Sequence, residues 1–332
     1  MTYIVIFFLW VSLLIYLVMG GADYGSGILE LFAAGEHKSE VRKNAYRVMG
    51  PIWEANHMWL IIAVVILFVG FPQIYSTVSI YLHLPLLALL LGIIARGTSL
   101  AFRNYDAVQD RWQAIYNRIF VYSSFVTPFF LGVIASSAVS GRIDPGAGSF
   151  FGVYVSDWLS GFSLATGFFT VALCGFLAAV YLIGEVELQA KRSYIYMARL
   201  MSIALWMGVV VIFITASSEG VPLIHWVFGD LLCLVAGVCA VGAFIALWVM
   251  VGKGSIRGMR FCGGTMVTMM LIAVTHSHYP DVIILKGGGS VSLFDHAGAP
   301  ETMSMLAMAL LGGGLFIVPS LAYLVYSFDK PV

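Results

Sequence analysis

The sequence predicts an all-α integral membrane protein of about nine transmembrane helices, arranged as two four-helix bundles plus one peripheral helix. Three observations carry that prediction. Of 332 residues, 61% are hydrophobic and only 10% are charged, with a mean hydropathy of +0.95, whereas a soluble globular chain carries charge on roughly a quarter of its residues. Apolar runs long enough to cross a bilayer recur along the chain. The basic residues then fall almost wholly on one side of the topology that those runs imply. Seventeen Lys and Arg against seventeen Asp and Glu give a formal net charge of zero, so nothing suggests a nucleic-acid partner or a basic membrane-binding tail.

The apolar runs lie near residues 2–20, 57–76, 79–101, 118–140, 161–183, 200–218, 227–251, 259–284 and 302–327. They are too continuous for the alternating pattern of a membrane barrel. The first, MTYIVIFFLWVSLLIYLVMG, has no basic leader and outlasts a signal-peptide core, so it is expected to be the first span. The third follows the second after a very short link, and the eighth contains His276 and His278. The longest polar stretch, residues 28–50, sets Leu31, Phe32, Val41, Tyr46 and Val48 among Lys38, Arg42, Lys43 and Arg47, the pattern of an amphipathic interfacial helix. A single polytopic membrane domain is expected, with residues 1–140 as the first bundle, 161–284 as the second and 302–327 as the ninth helix. No residue-level repeat relates the halves.

Orientation follows from the basic residues near helix ends, because short basic loops stay cytoplasmic. The first, third, fifth and seventh connections hold Lys38, Arg42, Lys43 and Arg47; Arg96, Arg103, Arg111 and Arg118; Lys191, Arg192 and Arg199; and Lys253, Arg257 and Arg260. Lys330 joins them at the C-terminus, and the opposite side holds only Arg142 and Lys286. The N-terminus is therefore expected outside and the C-terminus in the cytoplasm.

Chemistry-bearing residues gather near the cytoplasmic ends of the first three helices. Helix one ends in GGADYGSG, whose glycines allow close backbone approach around Asp23. Helix two opens with PIWEANHMWL, placing Glu54, Asn56 and His57 between Trp53 and Trp59. An ionisable group near membrane depth is costly unless it pairs or faces water, and so marks a functional site; a polar first turn beneath a tryptophan belt is the structural alternative. Glu54 and His57 are three residues apart, hence on one helical face, and a carboxylate beside a histidine suits a proton relay or the ligation of a metal or haem. In ARGTSLAFR of helix three, Arg96 is expected to pair with Asp23 or Glu54, while Arg103 is expected to snorkel. In THSHYPD, His276 and His278 are too close in sequence to share a helical face. The four cysteines lie in apolar runs without a C-x-x-C pair, so they read as packing residues and no metal site is expected. The glycines of KGGGS and LLGGGLF lack the lysine and flanking elements of a phosphate loop.

With these motifs laid out, the chain resembles subunit II of the cytochrome bd family of quinol oxidases. The resemblance spans nearly the whole chain through GADYGSGIL, PIWEANHMWLI, FPQIY, RGTSLAFR, SFVTPFFLG, HYPDVII and SLFDHAGAPETM, in that order. It implies nine helices, as two four-helix bundles plus one. It implies a partner, subunit I, that carries haem b, haem d and the quinol site, so that no complete active site lies in this chain. A small single-helix subunit, membrane lipid and a structural quinone are further partners that the resemblance allows. Subunit II then supports assembly of the haem centre and lines routes for protons or oxygen, in a bacterial cytoplasmic membrane. Glu54 stands where the family has a carboxylate of a cytoplasmic proton route, with Trp53, Asn56 and Trp59 matching its neighbours. Asp23 matches the acid after helix one. Relatives often carry an acid two residues before the last arginine of RGxxxxFR, where this chain has Ala101. The alternatives are a secondary transporter, or a subunit that ligates haem itself through His57, His276 or His278.

Overall fold

The computed structural model describes residues 1–33, 36–50, 53–105, 111–186 and 188–328. Pro51 and Ile52 of the second-helix motif and Lys330 of the charge asymmetry lie outside the described residues. The order is α1 (Thr2–Ile15), a π-turn (Tyr16–Gly20), α2 (Gly21–Phe32), α3 (Glu36–Met49), α4 (Trp53–Gly70), α5 (Pro72–Tyr81), α6 (His83–Tyr105) and α7 (Arg111–Val139). There follow α8 (Phe150–Tyr154), α9 (Gly161–Ile183), α10 (Leu188–Ser218), α11 (Leu223–Phe228), α12 (Leu231–Lys253) and α13 (Ile256–His278). Strands β1 (Asp281–Ile284) and β2 (Ser290–Ser292) precede the last helix, α14 (Pro300–Phe328). Among the described residues, nine helical spans are long and apolar enough to cross a membrane.

The first span does not stop at Gly20. It runs as Thr2–Phe32, about 46 Å at the α-helical rise, with a π-turn in place of the expected terminus. The glycines serve packing rather than termination. A Cβ on Gly25 would lie 1.9 Å from the Cys174 carbonyl oxygen of α9, and one on Gly27 would lie 2.3 Å from Ser124 Oγ of α7. These two positions let three helices meet at backbone distance, as small residues do where no solvent drives association.

Other boundaries shift for local reasons. The second span, expected over 57–76, is Trp53–Gly70; Phe71 leaves helical geometry at φ −135 and ψ 61, and Pro72 begins α5. The third span starts at His83, because Leu82 breaks the chain at φ −107 and ψ 26. The eighth, expected to reach residue 284, ends at His278. Pro280 and β-branched Val282, Ile283 and Ile284 leave the helix for an antiparallel hairpin, with Ile283 opposite Val291 and Ile284 opposite Ser290. Gly287 and Gly288, both at φ 90, turn the chain between the strands. The fifth span coincides with its expected run at Gly161–Ile183, capped where Ser160 Oγ accepts from the Ser163 amide at 3.1 Å. The polar stretch after the first span forms α3, which turns Val41 and Ala45 into the protein and leaves Tyr46 and Arg47 outside.

Helix α9 sits at the middle of the molecule, in contact with α2, α7, α10 and α13. Phe176, Leu177, Ala178 and Ala179 on it are wholly buried and join the core formed with α2, α10, α12 and α13. A second core links α1, α4, α5 and the hairpin through Val5, Ile66, Phe71, Ile74 and Ile283. Helix α14 lies against α1 and α4.

Candidate functional site

Two buried ion pairs join the first and third spans. Arg96 holds Asp23 in a fork: Nη1 donates to Oδ2 at 2.8 Å and Nη2 to Oδ1 at 2.7 Å, while Nη2 also donates to the Asp23 carbonyl at 3.0 Å. Its Nε donates to Ser124 Oγ at 3.1 Å. Asp23 is 0% exposed and Arg96 is 1% exposed. Planar guanidinium geometry favours this two-point hold over a point charge. Two helical turns further on, Arg103 Nη2 donates to Glu30 Oε2 at 3.0 Å, and Arg42 Nε of α3 donates to Oε1 at 2.8 Å.

Phe120 of α7 lies between the two arginines, its ring centre 5.0 Å from the Arg96 guanidinium carbon and 4.8 Å from that of Arg103. Tyr24 covers Arg96 from another side at 4.9 Å. Aromatic faces attract cations most strongly where water is absent. The expected pairing of Arg96 is therefore found, with Asp23 as its partner. The expectation for Arg103 is corrected: it is buried rather than snorkelling, because Glu30 needs a counter-charge and Ala101 leaves no acid of its own helix beside it. A cavity of about 10 Å³, the room of one water molecule, lies among Asp23, Arg42, Arg96 and Arg103.

Glu54 and His57 face different surroundings. Glu54 is exposed in the first turn of α4 and makes no ion pair among the described residues. It heads a stripe of exposed apolar residues on the same helical face: Met58, Ile61, Val65 and Phe68. His57 turns inward. Its Nδ1 donates to the Trp53 carbonyl at 2.9 Å, so in the neutral ring Nε2 accepts from the Tyr24 hydroxyl at 3.2 Å. Tyr24 is bonded in turn to Tyr16 at 3.0 Å, within the π-turn.

Trp53 packs against Gly97, where a Cβ would lie 3.3 Å from its ring, so the residue after Arg96 must be small to seat it. Asn56 is 0% exposed, and its Oδ1 and Nδ2 have no partner, nor has Trp59 Nε1 one turn on. Buried polar atoms of this kind are places for ordered solvent. The site residues named from the sequence thus divide into a closed ion-pair ladder (Asp23, Arg96, Arg103), an inward aromatic chain (His57 with Trp53) and one outward acid, Glu54. Sequence reasoning missed Glu30 and Arg42. Glu30 had a signal: it follows Asp23 by seven residues, as Arg103 follows Arg96.

The profile of the family described as cytochrome bd terminal oxidase subunit II matches residues 1–328. The chain is 24% identical over 342 aligned residues to cytochrome bd ubiquinol oxidase subunit 2 of Bacillus subtilis, covering 98% of this chain and 96% of that relative. To cytochrome bd-I ubiquinol oxidase subunit 2 of Escherichia coli K12 it is 25% identical over 203 residues, 58% of this chain and 53% of the relative. The fold matches a chain of the bd oxidase structure from Geobacillus thermodenitrificans with a TM-score of 0.77 at 18% identity, covering 99% of both chains.

Proposed function

Because the chain belongs to the cytochrome bd terminal oxidase subunit II family, we propose that it provides the cytoplasmic proton entry of the oxidase, with Glu54 as the accepting group and the haems held by subunit I. Membership implies an oxidoreductase complex, haem cofactors within it and a subunit I partner. Quinol oxidation and oxygen reduction to water are the chemistry that the complex supplies; this chain's part is to admit protons and to brace the partner.

The observation that carries the reading is the contrast among three acids. Asp23 and Glu30 have their oxygens held by arginines, so neither has a free position to take up a proton without breaking a buried pair. Glu54 is exposed and stands at the head of an apolar stripe that includes Ile61 and Phe68. An acid on a lipid-facing stripe is costly, which favours docking of subunit I over that face. Asp23 and Arg96 then act as an anchor that fixes α2 against α6 and α7, and Trp53, seated on Gly97, keeps the first turn of α4 in place.

Of the histidines singled out from the sequence, His57 and His276 have ring nitrogens held by neighbouring groups. His57 has both ring nitrogens engaged. His276 Nε2 faces Asp230 at 3.2 Å. His278 donates Nδ1 to the Val274 carbonyl at 2.8 Å and packs its ring 4.4 Å from that of Trp226, while its buried Nε2 has no partner among the described residues. Proton-coupled turnover of Glu54→Gln in the purified complex, with haem content measured alongside, tests the reading.

A further inference from the structure

At the end of the α12–α13 pair remote from its Gly254 turn, three side chains of different chemistry converge outside the site described above. Asp230 precedes α12, Cys233 lies one turn inside it, and His276 comes from the last turn of α13. One ligand atom from each lies within 4.8 Å of the other two. His276 Nε2 and Asp230 Oδ1 are 3.2 Å apart. We propose that Asp230, Cys233 and His276 form a binding site for a zinc-class divalent cation that clamps the ends of α12 and α13 together.

The donor set suits such an ion. Zinc takes thiolate, imidazole and carboxylate ligands in a tetrahedron, and its bond lengths set neighbouring ligand atoms roughly 3.3–3.6 Å apart. The Asp230–His276 separation of 3.2 Å falls just short of one such edge. Asp230 caps the start of α12, its side chain folded over the first turn that carries Cys233, and is held in place where its Oδ1 accepts from the Leu232 amide at 2.7 Å. Around the thiol, Ser277 Oγ lies 3.4 Å from Cys233 Sγ and spends its own proton on the Ala273 carbonyl at 2.7 Å, so it ties the last turn of α13 rather than the sulfur. The site is closed on one side and open on the other. Cys233 is 0% exposed, whereas the side chains of His276 and Asp230 are 45% and 57% exposed, which leaves an entry path and a fourth position for water. A helix cap and an ion pair account for Asp230 and His276 without a metal, but neither calls for a thiol within 4.8 Å of both.

The test uses the purified oxidase complex after chelator treatment, with Zn2+ and Co2+ as probes. Wild type is expected to bind one more zinc per complex than His276→Gln or Cys233→Ser, and either substitution to weaken that site by ~10-fold or more. Bound Co2+ is expected to show a sulfur-to-metal charge-transfer absorption in wild type and in His276→Gln at raised metal, and none in Cys233→Ser. His276 is exposed, so His276→Gln keeps the test open if Cys233→Ser fails to assemble; haem content reports assembly in each case. Equal zinc stoichiometry in wild type and His276→Gln, or cobalt bound to wild type without a sulfur band, overturns the proposal.

Discussion

Arg103 donates to Glu30 at 3.0 Å two helical turns beyond the point where Arg96 grips Asp23 at 2.7 Å, so the first and third spans are joined by two rungs of the same hand. Each rung links residues 73 apart in sequence. Breaking a buried pair by removing one partner leaves an uncompensated charge and costs about 3–5 kcal/mol. Arg96→Ala and Asp23→Ala are therefore each expected to lower the thermal stability of the complex and its haem content, with the double substitution milder than either alone. Melting curves and haem counts on the three variants check this. A double variant worse than both singles removes the ladder as a coupled unit.

The close approach of α2 to α9 gives a steric prediction. Gly25→Ala would put a methyl group 1.9 Å from a backbone oxygen, where no side chain can yield, and overpacking of this kind costs about 1–3 kcal/mol or more. Loss of assembled complex is expected for Gly25→Ala. Gly237→Ala, where nothing lies within 4 Å, is expected to assemble normally. Western blotting and haem content of membranes carrying each variant distinguish the two.

Much of this was legible in the sequence and some was not, for identifiable reasons. Span existence was legible because apolar length is a one-dimensional signal: Gly161–Ile183 was bounded to the residue. The end of the first span was not, because Gly20 and Gly21 read as punctuation when their neighbours Gly25 and Gly27 are contact points for Cys174 and Ser124. That Arg96 would pair followed from the need to neutralise buried charge, while the choice of Asp23 over Glu54 came only with the structure. Glu30 was passed over because spacing along one helix does not say which helix faces it; that depends on Phe120 of α7 lying between the two arginines. The convergence of Asp230, Cys233 and His276 was hidden for the same reason, since its ligands come from two helices with no short motif.

Asp157, between α8 and α9, gives a pH prediction. It is 1% exposed and its Oδ2 has no partner. Burial pushes its carboxyl up to about 6, against the lowering effect of the Asp144 amide and the Ser156 hydroxyl. A carboxyl whose folded pKa lies above its unfolded value near 3.8 contributes stability that is present below about pH 4 and lost as pH rises through about 6. Asp157→Asn is thus expected to melt higher than wild type at pH 8 and equally near pH 4. Thermal melts of the complex across that range decide it, and a variant less stable at pH 8 contradicts the sign.

The exposed stripe on α4 predicts where the partner sits. A photoreactive probe attached at Ile61→Cys, 61% exposed in this chain, is expected to crosslink to subunit I in the assembled complex. The same probe at Val238→Cys on α12, 64% exposed, is expected to react with lipid alone. Lipid-only products at Ile61 would move the interface to another face.

Glu54 heads that stripe, which makes it the acid whose fate depends on the partner. Glu54→Gln preserves the shape and removes the proton-accepting oxygen, so oxygen reduction is expected to fall severely, while Glu54→Asp retains a substantial part of it. A loss of assembly would mimic this outcome, and haem content separates the two: a complex with full haem and slow turnover has lost proton delivery, whereas one without haem has lost structure. Asp23→Asn provides the contrast, because a residue that anchors helices should lower haem content before it lowers turnover per haem. If Glu54→Gln assembles with full haem and turns over with undiminished proton uptake, Glu54 is only a polar helix start beneath Trp53 and Trp59.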